Sequence, residues 1–201
     1  MQGKLLVVVG PMFSGKTDAL IERYEHARAG GRSILAVKPA RDSRHPADRI
    51  VSHSGREMPA DSVASGDEIL TRAPASGLVL IDEIQFFERS LAEAVRELRA
   101  RGLDVVAVGL DRDFRGEKFE TTAMVAGDAT RVVRLVGRCS RCGNDAVLTQ
   151  RLIDGRPAPL DAPRFVVGDA ELYEPRCAAC WNEERDAAAV EAVVRSVRSG
   201  L

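Results

Sequence analysis

Residues 10–17 read Gly10-Pro11-Met12-Phe13-Ser14-Gly15-Lys16-Thr17, the spacing G-x-x-x-x-G-K-[ST]. They follow directly on the apolar run Leu5-Leu6-Val7-Val8-Val9. A buried strand that stops, a glycine-bearing loop and a helix that starts together aim backbone N–H groups and a positive dipole end at one point. Such a point binds the phosphates of a nucleoside triphosphate. Lys16 is placed to reach the β- and γ-phosphates, and the Thr17 hydroxyl to ligate Mg²⁺.

A second group of acids fits the same chemistry. Leu78-Val79-Leu80-Ile81-Asp82-Glu83 is an aliphatic run ending in two carboxylates. In an open parallel sheet, ligands bind beyond the carboxyl ends of the strands, so this pair projects toward the phosphate loop. Asp82 is expected to hold Mg²⁺. Glu83, pointing differently, is expected to face the nucleophile as a general base. An Asp-Glu pair at this position serves ATPases as well as kinases, with water or an alcohol as the group activated.

All four cysteines fall into two C-x-x-C pairs, Cys139/Cys142 and Cys177/Cys180, separated by residues 143–176. In a reducing compartment that pattern favours metal over disulfide. Four thiolates suit a closed, structural Zn²⁺ site. The separation exceeds the usual spacing of about 15–20 residues, so an excursion must be inserted. Residues 147–153 and 165–167 are strand-like around an Asp154-Gly155 turn, which suggests a hairpin rooted in a zinc knuckle. His26, His45 and His53 are scattered, and none is read as a ligand.

The elements that would position these groups alternate. Strands are expected at 5–9, 33–38, 78–81, 104–110 and 132–136. Helices are expected at 16–29, 65–72 and 88–101. In the last of these, Leu91, Ala94, Val95 and Leu98 recur at helical spacing. Residues 39–61 read as polar and turn-rich, with only Ile50-Val51 strand-like, and 111–121 as a polar motif. Alternation of this kind predicts an α/β fold with a parallel sheet and helices on both faces. The character changes at Gly137, which divides the chain into residues 1–136 and 137–201. The Ala- and Val-rich tail from 183 to about 199 is expected to be helical.

The chain has 201 residues and a net charge of −1, with 29 Lys+Arg against 30 Asp+Glu. Nothing in that balance suggests a nucleic-acid surface, which shows a basic excess. Arg138 and Arg141 beside Cys139 are the residues that would serve one, as in a P-loop ATPase with a nucleic-acid-gripping zinc ribbon. No apolar run approaches the roughly 18 residues needed to span a bilayer. The N-terminal apolar stretch is short and runs into the phosphate loop, so a cytoplasmic location without membrane attachment is expected.

Taken in order, the phosphate loop, Lys38-Pro39 with Arg41-Asp42-Ser43-Arg44, Asp82-Glu83-Ile84-Gln85-Phe86-Phe87, Gly109-Leu110-Asp111-Arg112-Asp113-Phe114-Arg115-Gly116, Thr149-Gln150-Arg151-Leu152, Tyr173-Glu174-Pro175-Arg176 and both cysteine pairs resemble thymidine kinase of the zinc-bound lasso type, from about residue 4 to 181. The resemblance implies a P-loop NTPase (RecA-like) domain with a small C-terminal zinc-binding lasso domain. It also implies transfer of the ATP γ-phosphate to the 5′-hydroxyl of thymidine. Glu83 would be the base, with Lys16 and Arg44 stabilising transition-state charge. Gly10 to Thr17, Asp82, Glu83, Ile84 and Gln85 would bind ATP. Met12, Leu110, Phe114, Thr149, Val166, Val167, Gly168 and Tyr173 would surround the nucleoside. The resemblance further implies a homotetramer and feedback inhibition by thymidine triphosphate. Two features depart from it: Leu148 stands where many relatives carry an aromatic, and residues 183–201 have no counterpart. A kinase for another deoxynucleoside is the near alternative.

Overall fold

The computed structural model describes residues 1–166, 168, 170–181 and 187–198, the last helix with side chains from 191 to 197. The first part of the chain forms β1 (Leu5–Val9), α1 (Lys16–Ala29), β2 (Ile34–Pro39), β3 (Arg49–Val51), β4 (Glu57–Pro59), β5 (Asp61–Val63) and α2 (Gly66–Arg72). It continues through β6 (Leu78–Ile81), a 3₁₀ turn at Ile84–Phe86, α3 (Ser90–Ala100), β7 (Asp104–Gly109), α4 (Glu120–Gly127) and β8 (Arg131–Arg134). From Gly137 onward come β9 (Gly137–Arg138), β10 (Asp145–Ala146), β11 (Leu148–Ile153), β12 (Arg156–Pro157), β13 (Tyr173–Arg176) and α5 (Ala187–Arg198).

Six strands make one parallel sheet in the order β5-β2-β6-β7-β1-β8. One strand, β7, lies between the strand that feeds the phosphate loop and the strand that ends in Asp82. That insertion is the RecA-like arrangement. Strand alternation divides the core in two. Leu5, Val7, Val9, Val79, Ile81, Val105 and Ala107 face α2, α3 and α4. Val8, Ala36, Leu78, Leu80, Val106 and Val108 face α1 and the antiparallel β3–β4 ribbon. Each central strand is apolar on both sides because both faces are covered.

Since all six strands run the same way, the residues after β1, β2, β6 and β7 emerge at one edge of the sheet. Those are the residues singled out above for chemistry. The expected strands 5–9 and 78–81 and helix 16–29 have the bounds observed. α4 was not anticipated: residues 111–121 read as a polar motif, yet a helix begins at Glu120.

Beyond the parallel sheet, β11 is the centre of a three-stranded antiparallel sheet with β12 and β13, and β9 pairs with β10. The expected partner of residues 147–153 was 165–167. The expected Asp154-Gly155 turn does form a hairpin, but with Arg156–Pro157, and the other partner is Tyr173–Arg176, with Thr149 opposite Pro175 and Arg151 opposite Tyr173. Phe165 and Val166 lie outside any strand, and Val167 lies outside the described residues. Among the described residues no helix is long and apolar enough to cross a membrane.

Candidate active site

The phosphate loop leaves β1 at Gly10, where a side chain would not fit: a Cβ would lie 2.6 Å from Leu135 O and 2.7 Å from Ser14 Oγ. Phe13 and Gly15 both take left-handed backbone, at φ 61° and 83°, which turns the loop back on itself before α1 starts. Ser14 Oγ donates to Pro11 O at 2.8 Å, and Lys16 Nζ to the same oxygen at 2.6 Å. Burial pushes the Lys16 ammonium below its ordinary value, against the pull of Glu83 and Asp82. The amine therefore lies folded into the loop beside two acids, on a carbonyl oxygen that the phosphates of a nucleotide would replace.

Asp82 and Glu83 follow β6 and point apart, because Glu83 sits in the left-handed region at φ 49°. Thr17 Oγ1 and Asp82 Oδ2 lie 3.5 Å from each other. A hydroxyl and a carboxylate are hard oxygen ligands of the kind Mg²⁺ takes. Burial, with Glu83 alongside, pushes the Asp82 carboxyl up to about 8, and a divalent cation there would reverse that shift.

Glu83 is held from two sides. Arg44 Nη2 donates to Oε1, and Gln85 Nε2 to Oε2. Arg44 is in turn gripped by Asp42 through Nε and Nη2, at 2.7 and 2.8 Å. Burial works against the Arg44 charge, but Glu83 and Asp42 outweigh it and hold the guanidinium firmly protonated. Burial likewise opposes the Asp42 carboxylate, but the bonds from Arg44 override it and hold its pKa low. The orientation of Gln85 is fixed because Leu110 N donates to its Oε1 at 3.0 Å. A donor on that side forces the amide NH₂ toward Glu83. Gly109 leaves room for this: a Cβ there would come within 2.5 Å of Gln85 Oε1.

The phosphate loop and the carboxylate open into one cavity of about 390 Å³. Away from the phosphate loop its wall carries Met12, Leu110, Phe114, Phe119, Phe165 and Tyr173, with Arg112, Asp113 and Arg164 among them. Phe114 is packed against Ala158 and Ala162, with the Arg115 and Arg151 guanidinium carbons each 5.5 Å from its ring centre. Phe165 lies across the mouth, its ring centre 5.7 Å from Phe119 and 6.0 Å from Phe86. Tyr173 fixes the closing segment by donating its hydroxyl to Val166 O at 2.8 Å. The two parts of the chain meet at Thr149, whose Oγ1 accepts from Met12 N at 3.0 Å.

Behind this wall the four cysteine sulfurs lie within 4.8 Å of one another, and Cys142 Sγ is 3.6 Å from Cys177 Sγ. A tetrahedral ion with four bonds of about 2.3 Å needs sulfur separations of about 3.8 Å, so the cluster fits one. None of the four is in a disulfide. Burial opposes ionisation of Cys139, but backbone N–H groups of Cys177, Cys142 and Arg141 bring it down to about 6. The neighbouring sulfurs push Cys180 the other way, up to about 12.

Most of the expected residues come together. Met12 to Thr17, Arg44, Asp82, Glu83, Gln85, Leu110, Phe114, Thr149, Val166, Gly168 and Tyr173 all line the cavity. Gly10 and Pro11 do not, although Pro11 O anchors Lys16. Ile84 is wholly buried in the core that faces α2, α3 and α4. Asp42 stands in the Arg41-Asp42-Ser43-Arg44 motif, and its grip on Arg44 is a feature the structure adds. The signal was the Asp42-Ser43-Arg44 spacing, which lets an acid and an arginine two residues apart fold onto each other. Phe86, Phe165, Arg164 and His53 also line the cavity. His53 packs edge-on against Phe13 of the phosphate loop, with ring centres 4.7 Å apart. Phe86 belongs to the motif that begins at Asp82 and Phe165 to the strand-like stretch 165–167, but no local pattern marks Arg164 or His53 as lining a site.

The family model for thymidine kinase matches residues 3–181. Among curated proteins, the chain is 45% identical over 177 residues to "Thymidine kinase" of Pyrobaculum aerophilum, covering 86% of this chain and 95% of that one. It is 40% identical over 183 residues to "Thymidine kinase" of a Roseiflexus species, covering 89% and 95%. With "Thymidine kinase" of Coprothermobacter proteolyticus it shares 44% over 175 residues, covering 87% and 88%.

Proposed function

The chain belongs to the thymidine kinase family, and from that premise we propose that it transfers the γ-phosphate of ATP to the 5′-hydroxyl of thymidine, releasing ADP and thymidine monophosphate. One observation carries the reading. The Glu83 carboxylate is held by Arg44 and Gln85 inside a single cavity that has the phosphate loop at one end and an aromatic slot at the other.

In the proposed reaction the phosphate-loop N–H groups cradle the β- and γ-phosphates, and Lys16 exchanges Pro11 O for phosphate oxygen. The thymine ring lies in the slot formed by Met12, Leu110, Phe114 and Tyr173, with Thr149, Val166 and Gly168 around its edge. An apolar wall alone distinguishes one methyl by only about 1–3 kcal/mol, so deoxyuridine is a tolerated, poorer substrate. The 5′-oxygen attacks the γ-phosphorus, its proton passes to Glu83, and the bond to the ADP oxygen breaks. Arg44, whose planar fork suits phosphate oxygens, faces the charge that develops. Mg²⁺, held by Thr17 and Asp82, supplies charge neutralisation on the phosphate oxygens when bound.

The remaining features belong to the same reading. The cysteine cluster holds a structural Zn²⁺, and residues 137–201 act as a unit that closes on the nucleoside held by residues 1–136. Continuity of the cavity from slot to phosphate loop supports thymidine triphosphate as an inhibitor, since one molecule carries groups for both ends. Family membership supports a homotetramer and a cytoplasmic location. The test is purified protein with ATP, Mg²⁺ and thymidine: absence of thymidine monophosphate would sink the proposal. A panel of four deoxynucleosides then fixes the acceptor.

A further inference from the structure

Helix α5 lies beyond the residues matched by the family, yet it is docked against the back of the nucleoside slot. Its inner face carries Val193, Val194 and Val197, packed with Leu148 and Trp181. Its outer face is polar, with Arg195 Nη2 bonded to Glu191 Oε1 at 2.9 Å. Ser196 Oγ accepts from Arg112 Nη2 at 2.6 Å, while Arg112 Nη1 donates to Gly116 O, also at 2.6 Å. Arg112 Nε is buried with no partner among the described residues, so the guanidinium depends heavily on those two bonds. Gly116 has φ 83°, and a Cβ there would lie 2.9–3.0 Å from Val193 and Trp181. The helix therefore seats on a bare stretch of backbone.

Both things it touches are walls of the slot. The Arg112–Gly116 turn carries Phe114, and Arg112 itself lines the cavity. Trp181 Nε1 donates to Thr149 O at 3.0 Å, and Thr149 Oγ1 holds Met12 N. The packing runs without a break from Val193 and Val197 through Trp181 to Thr149, and from Ser196 through Arg112 to Phe114.

We propose that α5 is a positioning element of the nucleoside slot: Ser196, Val193 and Val197 hold the Arg112–Gly116 turn and the Trp181–Thr149 contact in the geometry that receives the base. The inference rests on the thymidine kinase reading for its substrate. Its consequences should fall on the nucleoside and spare ATP, because the contacts traced from α5 run to Phe114 and to Thr149.

The test uses the full chain with Ser196→Ala, Ser196→Thr and Val193→Asp. Trp181 is the chain's one tryptophan, so its emission reads docking of α5 independently of activity. Ser196→Ala should raise the thymidine KM about tenfold, the factor for losing a hydrogen bond to a charged group. The ATP KM should stay within about twofold, and Ser196→Thr should restore the thymidine value. Val193→Asp should red-shift Trp181 emission and raise the thymidine KM at least as much. Three results overturn the inference: a shifted Trp181 emission with an unchanged thymidine KM, equal losses for thymidine and ATP, or an unshifted Trp181 in Val193→Asp. A wild-type protein that forms no thymidine monophosphate overturns the functional reading instead.

Discussion

Glu83→Gln isolates the proposed base because it keeps shape and removes only the proton acceptor. The carboxylate accepts from Arg44 on one oxygen and from Gln85 on the other. A glutamine amide has one acceptor and one donor end, so one of those contacts becomes donor against donor. Gln85 is unable to turn over in response, since Leu110 N already claims its oxygen. The amide oxygen will therefore face Arg44 and the unmatched NH₂ will face Gln85, costing about 1–3 kcal/mol of stability for a part-buried unsatisfied donor. The chemical loss is larger. A positioned general base contributes roughly 10²- to 10⁴-fold, so kcat should fall by that factor. ATP affinity should hold within about threefold, because the bonds of the phosphate loop do not involve Glu83. Rapid-quench single turnover with saturating ATP and thymidine measures the first quantity, and an ATP titration the second. A kcat within threefold of wild type, in a variant that still binds ATP, would remove Glu83 from the base role.

Gly109→Ala should destabilise the protein by about 1–3 kcal/mol, as overpacking does, because the new Cβ would meet Gln85 Oε1 at 2.5 Å and Ile84 Cγ1 at 2.8 Å; urea unfolding measures it. Asp42→Asn tests the clamp on Arg44 through pH. The Asp42 pKa is lowered in the fold, so its stabilisation is present above the unfolded value of about 3.9 and lost as pH falls through the lower folded value. The wild-type urea midpoint should therefore lead that of the variant at pH 7, with the two converging below about pH 4; curves that stay parallel would refute the clamp. Chelation of the metal should lower the melting temperature and abolish thymidine binding while an ATP analogue still binds, as followed by calorimetry, because a structural zinc site supplies folding energy locally.

The central sheet was legible because its strands are buried on both faces and read as unbroken aliphatic runs. Leu78–Ile81 is four consecutive aliphatics, all of them buried. α4 was illegible because its stability is tertiary. Its eight residues include two threonines and a valine, poor helix formers, and no side chain caps its start. What holds it is Thr121 Oγ1 on Phe87 O and Thr122 Oγ1 on Leu110 O, contacts to residues far away in sequence. The error at 165–167 has a similar source. Phe165-Val166 look like a strand because they are apolar and β-prone, but their partners are the Phe86 and Phe119 rings at the cavity mouth. Tyr173–Arg176, which is the strand, hides behind Pro175. The donor half of the site was readable from spacing alone. The reach of Arg44 to Glu83 and the orientation of Gln85 were not, since both depend on which loop ends the parallel sheet brings side by side.

That convergence also bears on how a polyphosphate and a neutral nucleoside would be held in register. The phosphate end is built from backbone N–H groups on a loop after β1, and the slot from side chains after β7 and on β11. The loop gives up one of its own donors, Met12 N, to Thr149. That N–H is lost to the phosphates but ties the anion cradle to the strand that borders the base. The same strand is fixed at its back by Trp181 and by β13, which runs directly into Cys177. In the proposed complex the distance between the γ-phosphate and the 5′-oxygen would thus depend on a short chain of contacts that ends at the cysteine cluster, as well as on the parallel sheet. A metal held by that cluster would then bear on the proposed transfer without touching either substrate, because it would fix the strand that borders the proposed slot.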